Sequence, residues 1–328
     1  MAVQKISVIS LDHWNYDKHI VTTLRNKGFE ATHINFGKYQ HANFLERIKN
    51  AYAKLFLKQN PKKTKRQEYI LETLVQLGKQ DQILVINPDL IDKKYHLEIK
   101  KHTHKYIAYL YDSMARYPVN HLLDGVFDNI FSFDPDDVKQ FNFQKTTNYI
   151  YLDKQPLRFL ETPKYQAFYI GTRDSRLRLL KEIAQKLDFL KIAYLFIIVE
   201  KKNWKKKIAA LFFKDKEINA IQYRKHRVHQ EDMGSFYDQT NVIVDLVRDQ
   251  QSGLSFRIFE AMAFQKKIIT SNTSIKEYDF YDPKNIMILD ENQLHIDPDF
   301  FKTPYVPIPE NIYNNYTLSH WVKLVFEI

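Results

Sequence analysis

What most constrains this chain is a set of short, nearly unbroken apolar runs with helical sequence between them. Residues 83–87 (ILVIN), 105–111 (KYIAYLY), 192–199 (IAYLFIIV), 242–246 (VIVDL) and 267–270 (KIIT) are rich in β-branched and aromatic side chains. They show little apolar–polar alternation, so both of their faces must be covered. That is the condition of strands in a parallel sheet with helices on either side.

Two such sets follow one another. In the first, strands are expected at 5–10 (KISVIS), 29–34, 83–87 and 105–111, with one or two more at 125–133. A helix over 16–27 ends at Gly28, a C-cap residue. In the second, strands at 166–170, 192–199, 218–223, 242–246 and 267–270 alternate with helices at 175–187, 204–213, 231–240 and 254–264. The pattern predicts an α/β protein of two Rossmann-like, doubly wound domains, 1–155 and 163–310. The stretch 151–162, with Pro156, reads as the linker, and a closing helix near 316–328 is expected to pack back on the first domain. Open sheets bind ligands beyond the carboxyl ends of their strands, so the two domains are expected to face each other across a cleft.

Composition agrees with two cores: 44% of the 328 residues are hydrophobic, with 23 Phe and 21 Tyr. There is no cysteine, which excludes disulfides and thiolate chemistry and fits a reducing cytoplasm. The start, MAVQKISVISLDHW, has no export-signal pattern, and the longest apolar run, at 192–199, is too short to span a bilayer. A cytoplasmic protein is expected. The formal charge of +10 has two readings, an anionic partner or a Lys-rich coding bias. From Arg47 to Arg66 the chain carries eight basic residues and no acid, and Pro61 is expected to leave KKTKR as a solvated run. This segment suits either an anionic membrane surface or plain solvent.

The segment 250–264, QQSGLSFRIFEAMAF, is apolar around nearly its whole helical circumference. Arg257 and Glu260 share its one polar strip, and Gly253 and Ser255 leave the first backbone N–H groups open to an anion. An ordinary Arg–Glu pair is the competing reading. A second candidate is YIGTRDSRLR, residues 169–178. Gly171 permits close backbone approach, and Arg173 and Arg176 open a helix that Asp174 or Ser175 would otherwise simply cap. Tyr223 and Arg224 follow a strand where a base could stack, although core packing of Tyr223 is the default.

The run GLSFRIFEAMAFQKKIITSN, preceded by VIVDL, resembles the donor-site signature of the GT-B fold glycosyltransferases. It is most similar to the bacterial polysaccharide and lipopolysaccharide biosynthesis enzymes among them. The resemblance implies transfer of a sugar from a nucleotide-sugar donor to a glycan or lipid-linked acceptor. It gives Glu260 the donor ribose, and Gly253, Ser255 and Arg257 the diphosphate. Gly171, Arg173 and Arg176 match the turn that opens the donor domain of these enzymes. Two positions depart from the pattern: Ser252 stands where relatives carry a second acid, and Gln265 where they carry glycine.

Sugar transfer also needs a group near the acceptor hydroxyl that takes its proton. Asp12 and Asp112 each follow a first-domain strand and are the candidate catalytic residues, with His13 beside Asp12 as a further base. The acids of FDPDD (Asp134, Asp136, Asp137) read as a turn, and no metal or other cofactor is expected. The expected partners are the nucleotide-sugar, the acceptor and the inner face of a membrane, on which the protein would be peripheral. A basic nucleic-acid-binding protein and a catalytically degenerate transferase-like binding protein are the alternatives.

Overall fold

The structure, a computed structural model, describes residues 3–12, 14–38, 60–200, 221–226, 228 and 230–328. The chain divides into two compact units, Met1–Thr147 with Thr317–Ile328, and Asn148–Tyr316.

The first unit runs β1 (Lys5–Ser10), α1 (Asp17–Asn26), β2 (Glu30–Asn35), α2 (Pro61–Leu77), β3 (Gln80–Ile86), α3 (Lys93–Lys100), β4 (Thr103–Leu110), β5 (Asn129–Ser132), α4 (Pro135–Phe141) and β6 (Gln144–Lys145). Its six strands form one parallel sheet in the order β2-β1-β3-β4-β5-β6. The apolar runs behave as their composition requires. Ile83 and Val85 lie with Tyr106 and Ala108 in one core cluster. Their alternates Leu84, Ile86, Ile107 and Tyr109 are buried too. Gly28, at φ +91°, takes the left-handed turn that closes α1.

Pro61 starts α2 instead of breaking a helix, and KKTKR, though solvent-accessible as expected, is helical. Asn60 caps that helix by accepting from Lys63 N at 3.3 Å, and proline at the first helical position loses no hydrogen bond there. KKTKR therefore forms the opening turns of a helix. The rest of the basic segment, 47–59, lies outside the described residues. FDPDD is likewise a helix start, since Asp134 Oδ1 accepts from Asp136 N at 3.0 Å and caps α4.

The second unit runs β7 (Tyr165–Thr172), α5 (Leu177–Phe189), β8 (Tyr194–Val199), β9 (Ile221–Arg224), α6 (Gln230–Tyr237), β10 (Thr240–Asp245), α7 (Phe256–Ala263), β11 (Lys267–Thr270), β12 (Ile286–Ile288) and α8 (Glu310–Asn314). The parallel order is β12-β11-β10-β7-β8-β9, so the sequence reading lacked one strand, β12. One face carries Phe168, Leu195, Ile197 and Ile243; the other carries Tyr169, Phe196, Ile198 and Val244. The helix expected at 204–213 lies outside the described residues. The last helix, α9 (Leu318–Phe326), belongs to the first unit, where Trp321 packs on Tyr109 at 5.0 Å and Phe326 O accepts from Gln82 Nε2 at 2.9 Å.

The stretch 151–162 is irregular, yet it is bonded into the second unit. Gln155 N donates to Ala263 O at 2.8 Å, and Leu160 N to Asn241 Oδ1 at 3.1 Å. Among the described residues, no helix is long and apolar enough to cross a membrane.

Candidate functional site

In the second sheet the strand order reverses between β7 and β10. Ligands of open parallel sheets bind beyond the carboxyl ends of the strands at such a point. The loops there are RDSR, 173–176, after β7 and LVRDQQSGLS, 246–255, after β10, which overlap the two segments singled out in the sequence.

α7 is short, and its stability comes from burial rather than propensity. Ile258, Phe259 and Met262 are at most 1% exposed; burial of three such side chains contributes about 5–9 kcal/mol. Ser255 caps the helix, accepting from Arg257 N at 3.2 Å, and donates to Asp245 Oδ1 at 2.7 Å. The same oxygen takes Arg257 Nη1 at 2.5 Å, and Arg257 Nη2 donates to Ile170 O at 2.5 Å. Burial opposes the guanidinium charge, but Asp245 and the neighbouring Tyr169 outweigh it and raise the Arg257 pKa. Arg257 therefore stays charged. Its partner is Asp245, not Glu260, which removes the simple Arg–Glu surface pair.

Glu260 is 6% exposed and accepts from Tyr151 Oη and Tyr237 Oη, each at 2.5 Å. Neither of the two charged residues of α7 looks into open water. The helix ends in a Schellman motif, with Lys266 N on Ala261 O at 2.9 Å and Gln265 N on Met262 O at 3.1 Å. That motif needs a left-handed residue after the cap, and Gln265 supplies it at φ +51°. Glycine is the usual residue at such a place; here Gln265 Nε2 donates to Gln155 O at 2.6 Å. Ser252 and Gly253 lie in a loop pinned by its carbonyls. Asn272 Nδ2 donates to Ser252 O at 2.9 Å and to Gly253 O at 3.3 Å, and Ser274 Oγ to Ser252 O at 2.7 Å.

Gly171 is the seventh residue of β7, not the start of a turn. A Cβ there would lie 2.4 Å from Tyr169 Oη, so glycine makes room for a buried tyrosine. That ring in turn carries the Arg257 guanidinium, 5.1 Å from its centroid. Arg176 is also committed, with Nε on Asp174 Oδ1 at 2.9 Å, Nη2 on Asp174 Oδ2 at 2.6 Å and Nη1 on Leu246 O at 3.1 Å. Arg173 points elsewhere, pairing with Glu200 at 2.9 Å while 42% exposed. The site thus joins Gly171, Arg176, Ser255 and Arg257, and leaves Arg173 aside. Asp245, Tyr169, Tyr151 and Tyr237 were not singled out in the sequence, and Asp174 only as a possible helix cap. Asp245 alone carried a signal, as the one charge in an otherwise apolar strand.

Tyr223 is 43% exposed on β9, so it is not a core residue. Beside it, Arg224, Lys225, His226 and Phe236 line a cavity of about 510 Å³, a size usual for small-molecule sites. Arg224 lies over the Phe236 ring at 5.5 Å.

In the first unit the strand order reverses between β1 and β3. Asp12 follows β1 with φ +40°, 8% exposed, and its Oδ1 accepts from Asp17 N at 3.1 Å, at the start of α1. Asp112 follows β4 and pairs with Arg116 at 3.1 Å. Both carboxylates act on the buried hydroxyl of Tyr111, whose pKa is raised by burial, then by Asp17, Asp112 and Asp12. Asp89, after β3, is pushed up to about 6 by burial and then by Asp112. His13 lies outside the described residues.

No protein-family model matches the chain, and no curated protein sequence is similar to it. Solved structures are. A glycosyltransferase from Rickettsia africae ESF-5 superposes with a TM-score of 0.56 at 12% identity, over 100% of this chain and 98% of that one. The lipopolysaccharide outer core galactosyltransferase WaaB gives 0.55 at 10% identity, over 99% of both chains. The UDP-GlcNAc 2-epimerase from Methanocaldococcus jannaschii gives 0.52 at 12% identity, again over 99% of both. At these identities the likeness establishes the architecture: the chain has the GT-B fold, with two Rossmann-like units.

Proposed function

We propose that this protein is a glycosyltransferase whose second unit holds a nucleotide-sugar donor at the β7/β10 switch point. The observation that supports this most is the preassembled cation pair there. Arg176 and Arg257 are fixed by Asp174 and Asp245 beside the N-terminus of α7, where a departing phosphate would gain negative charge. Their cost of ordering is met before any ligand arrives. Glu260, with its tyrosines, would hold the ribose, and Gly253 and Ser255 would lie against phosphate. The nucleoside end would reach the β9 cavity near Tyr223 and Arg224, two strands from β7 and so about 10 Å away.

In the transfer, the acceptor hydroxyl forms a bond to the anomeric carbon while the bond to the donor phosphate breaks. The proton goes to a carboxylate of the first unit, Asp12 or Asp112. No metal enters this scheme, since the guanidinium groups take its electrostatic part. The acceptor class follows from the resemblance alone: a glycan or lipid-linked acceptor in bacterial surface polysaccharide or lipopolysaccharide synthesis, met at the inner face of the membrane. A nucleic-acid-binding protein is the weaker reading, because the solved structures that share this architecture over the whole chain are sugar-transferring and sugar-nucleotide enzymes.

A thermal-shift screen with UDP-, GDP-, CMP- and dTDP-linked sugars tests the donor. The native state gains RT ln(1 + [L]/Kd) from a ligand, so one series should raise the Tm at millimolar concentration. Failure of all four removes the donor reading. Chromatography of the bound sugar then separates transfer or hydrolysis from epimerisation of an intact donor. Flotation with anionic against neutral vesicles tests membrane contact, and equal failure to bind ends that part.

A further inference from the structure

One carboxyl group of the first unit is buried without a counterpart among the described residues. Asp17 is the first residue of α1 and is 1% exposed. Neither of its side-chain oxygens has a hydrogen-bond partner among the described residues. Ser10 Oγ exerts only a minor pull on it, being engaged with His33 Nε2 at 2.9 Å. Asp12 is its closest charged neighbour, bound through the Asp17 backbone N–H. Tyr111, from the end of β4, closes the group and itself feels both carboxyls.

An acid in the first turn of a helix is ordinarily welcome as an anion, because the helix end supplies N–H donors and a favourable dipole. Here the one N–H that reaches a side-chain carboxylate goes to Asp12 instead. Two anions packed this closely out of water repel strongly, so one of them keeps a proton. The fully buried group is the one that keeps it: burial, and then the Asp12 charge, push Asp17 up to about 8, against a smaller lowering by Ser10. The other titratable groups around are His33 on β2 and His19 on α1. Burial lowers both, with Asp12 pulling the other way and Lys18, Lys38 and Arg25 adding to the lowering. Both are therefore neutral where Asp17 titrates, and neither supplies Asp17 with a charge.

We propose that Asp17 is a positioning residue for Asp12: as a neutral acid it orients the Asp12 carboxylate through its backbone N–H and sets no second charge directly against it, so that Asp12 takes the acceptor's proton. This rests on the transferase reading and on the choice of Asp12 over Asp112. In the step, the acceptor O–H bond breaks and its proton passes to an Asp12 oxygen. The hydroxyl's electron pair forms the bond to the anomeric carbon, and the donor C–O pair leaves with the phosphate. Asp17 exchanges no atom with either substrate. Once Asp17 ionises, a second anion presses on Asp12 and the arrangement is lost.

The test is the pH profile of kcat/KM for the full-length protein and for Asp17→Asn, with whichever sugar nucleotide the screen identifies. The wild type should lose activity tenfold per pH unit above a break near 8, and Asp17→Asn should match it at pH 6–7 but lack that break. Superimposable profiles overturn the proposal. Carboxyl-¹³C aspartate NMR on the wild type provides a readout that needs neither a folded variant nor turnover. A resonance titrating near 8 that moves down in Asp12→Asn supports the proposal; all aspartates titrating below about 6.5 overturn it. Absence of turnover with a normal high-titrating resonance instead sinks the transferase reading and leaves the buried acid in place.

Discussion

Asp245→Asn separates a structural from a ligand-binding Arg257. In the wild type one Asp245 oxygen holds both Ser255 Oγ, at 2.7 Å, and Arg257 Nη1, at 2.5 Å, with the carboxylate side chain only 2% exposed. Asparagine keeps the shape and one accepting oxygen but removes the charge. The guanidinium, with 16% of its side chain exposed, is left uncompensated. Breaking a buried pair in this way costs about 3–5 kcal/mol, because one ion remains out of water without its partner. For a unit of this size that is a fall in Tm of about 6–20 °C. Urea unfolding of Asp245→Asn, Arg257→Met and the double variant gives the coupling. The double variant should be more stable than the two losses summed by about 2 kcal/mol, since no orphan charge is left. Additive losses, or an Asp245→Asn loss under about 1 kcal/mol, would refute the reasoning. The same variants report on function. A diphosphate that reaches Arg257 replaces the missing carboxylate, so nucleoside diphosphate should raise the Tm of Asp245→Asn more than that of the wild type.

Three further outcomes are expected. Gly171→Ala should cost about 1–3 kcal/mol by overpacking, and Tyr169→Phe should relieve only part of it, because Tyr169 Cζ and Cε1 also lie at 2.8 and 3.0 Å from the new Cβ; urea unfolding measures both. Glu260→Ala should abolish donor binding in calorimetry while the unit stays folded, and unchanged affinity would take Glu260 out of the site. Stability should fall with rising pH on account of Asp17. Its folded pKa of about 8 lies above the unfolded 3.8, so the native state holds the extra proton. The stabilisation is complete below pH 3.8 and is lost progressively up to pH 8, at up to about 1.4 kcal/mol per pH unit. Urea unfolding from pH 5 to 8 should show that slope in the wild type and its loss in Asp17→Asn.

The two parallel sheets were legible because their strands are apolar on both faces, a property written in five short runs of the sequence. β12 (IMI) and β6 (QK) escaped because two or three residues carry no period, and they form only where a neighbouring strand offers its edge. Pro61 misled for a related reason. Proline breaks a helix from within but starts one at the first position, and which applies depends on an Asn60 cap that spacing alone does not reveal.

Within the site, the helix carrying Arg257 and Glu260 was readable, whereas the partners that decide their roles were not. Asp245 and Tyr237 come from elsewhere along the second unit, 12 and 23 residues away, and Tyr151 lies 109 residues away. Only the fold brings these groups together, by ending β10 and starting α7 at one point and threading 151–162 past it. A buried acid on such a helix demands donors, and the sequence offered 21 tyrosines without marking which two would serve. The same reasoning explains Gln265. A Schellman end requires a left-handed residue at that place, so glycine is the default, and a glutamine there is tolerated because its side chain gains the carbonyl of Gln155. The departure from the GT-B signature that the segment resembles is thus a local exchange of backbone freedom for one hydrogen bond, and it leaves the α7 N-terminus, where the phosphate is proposed to lie, unaltered.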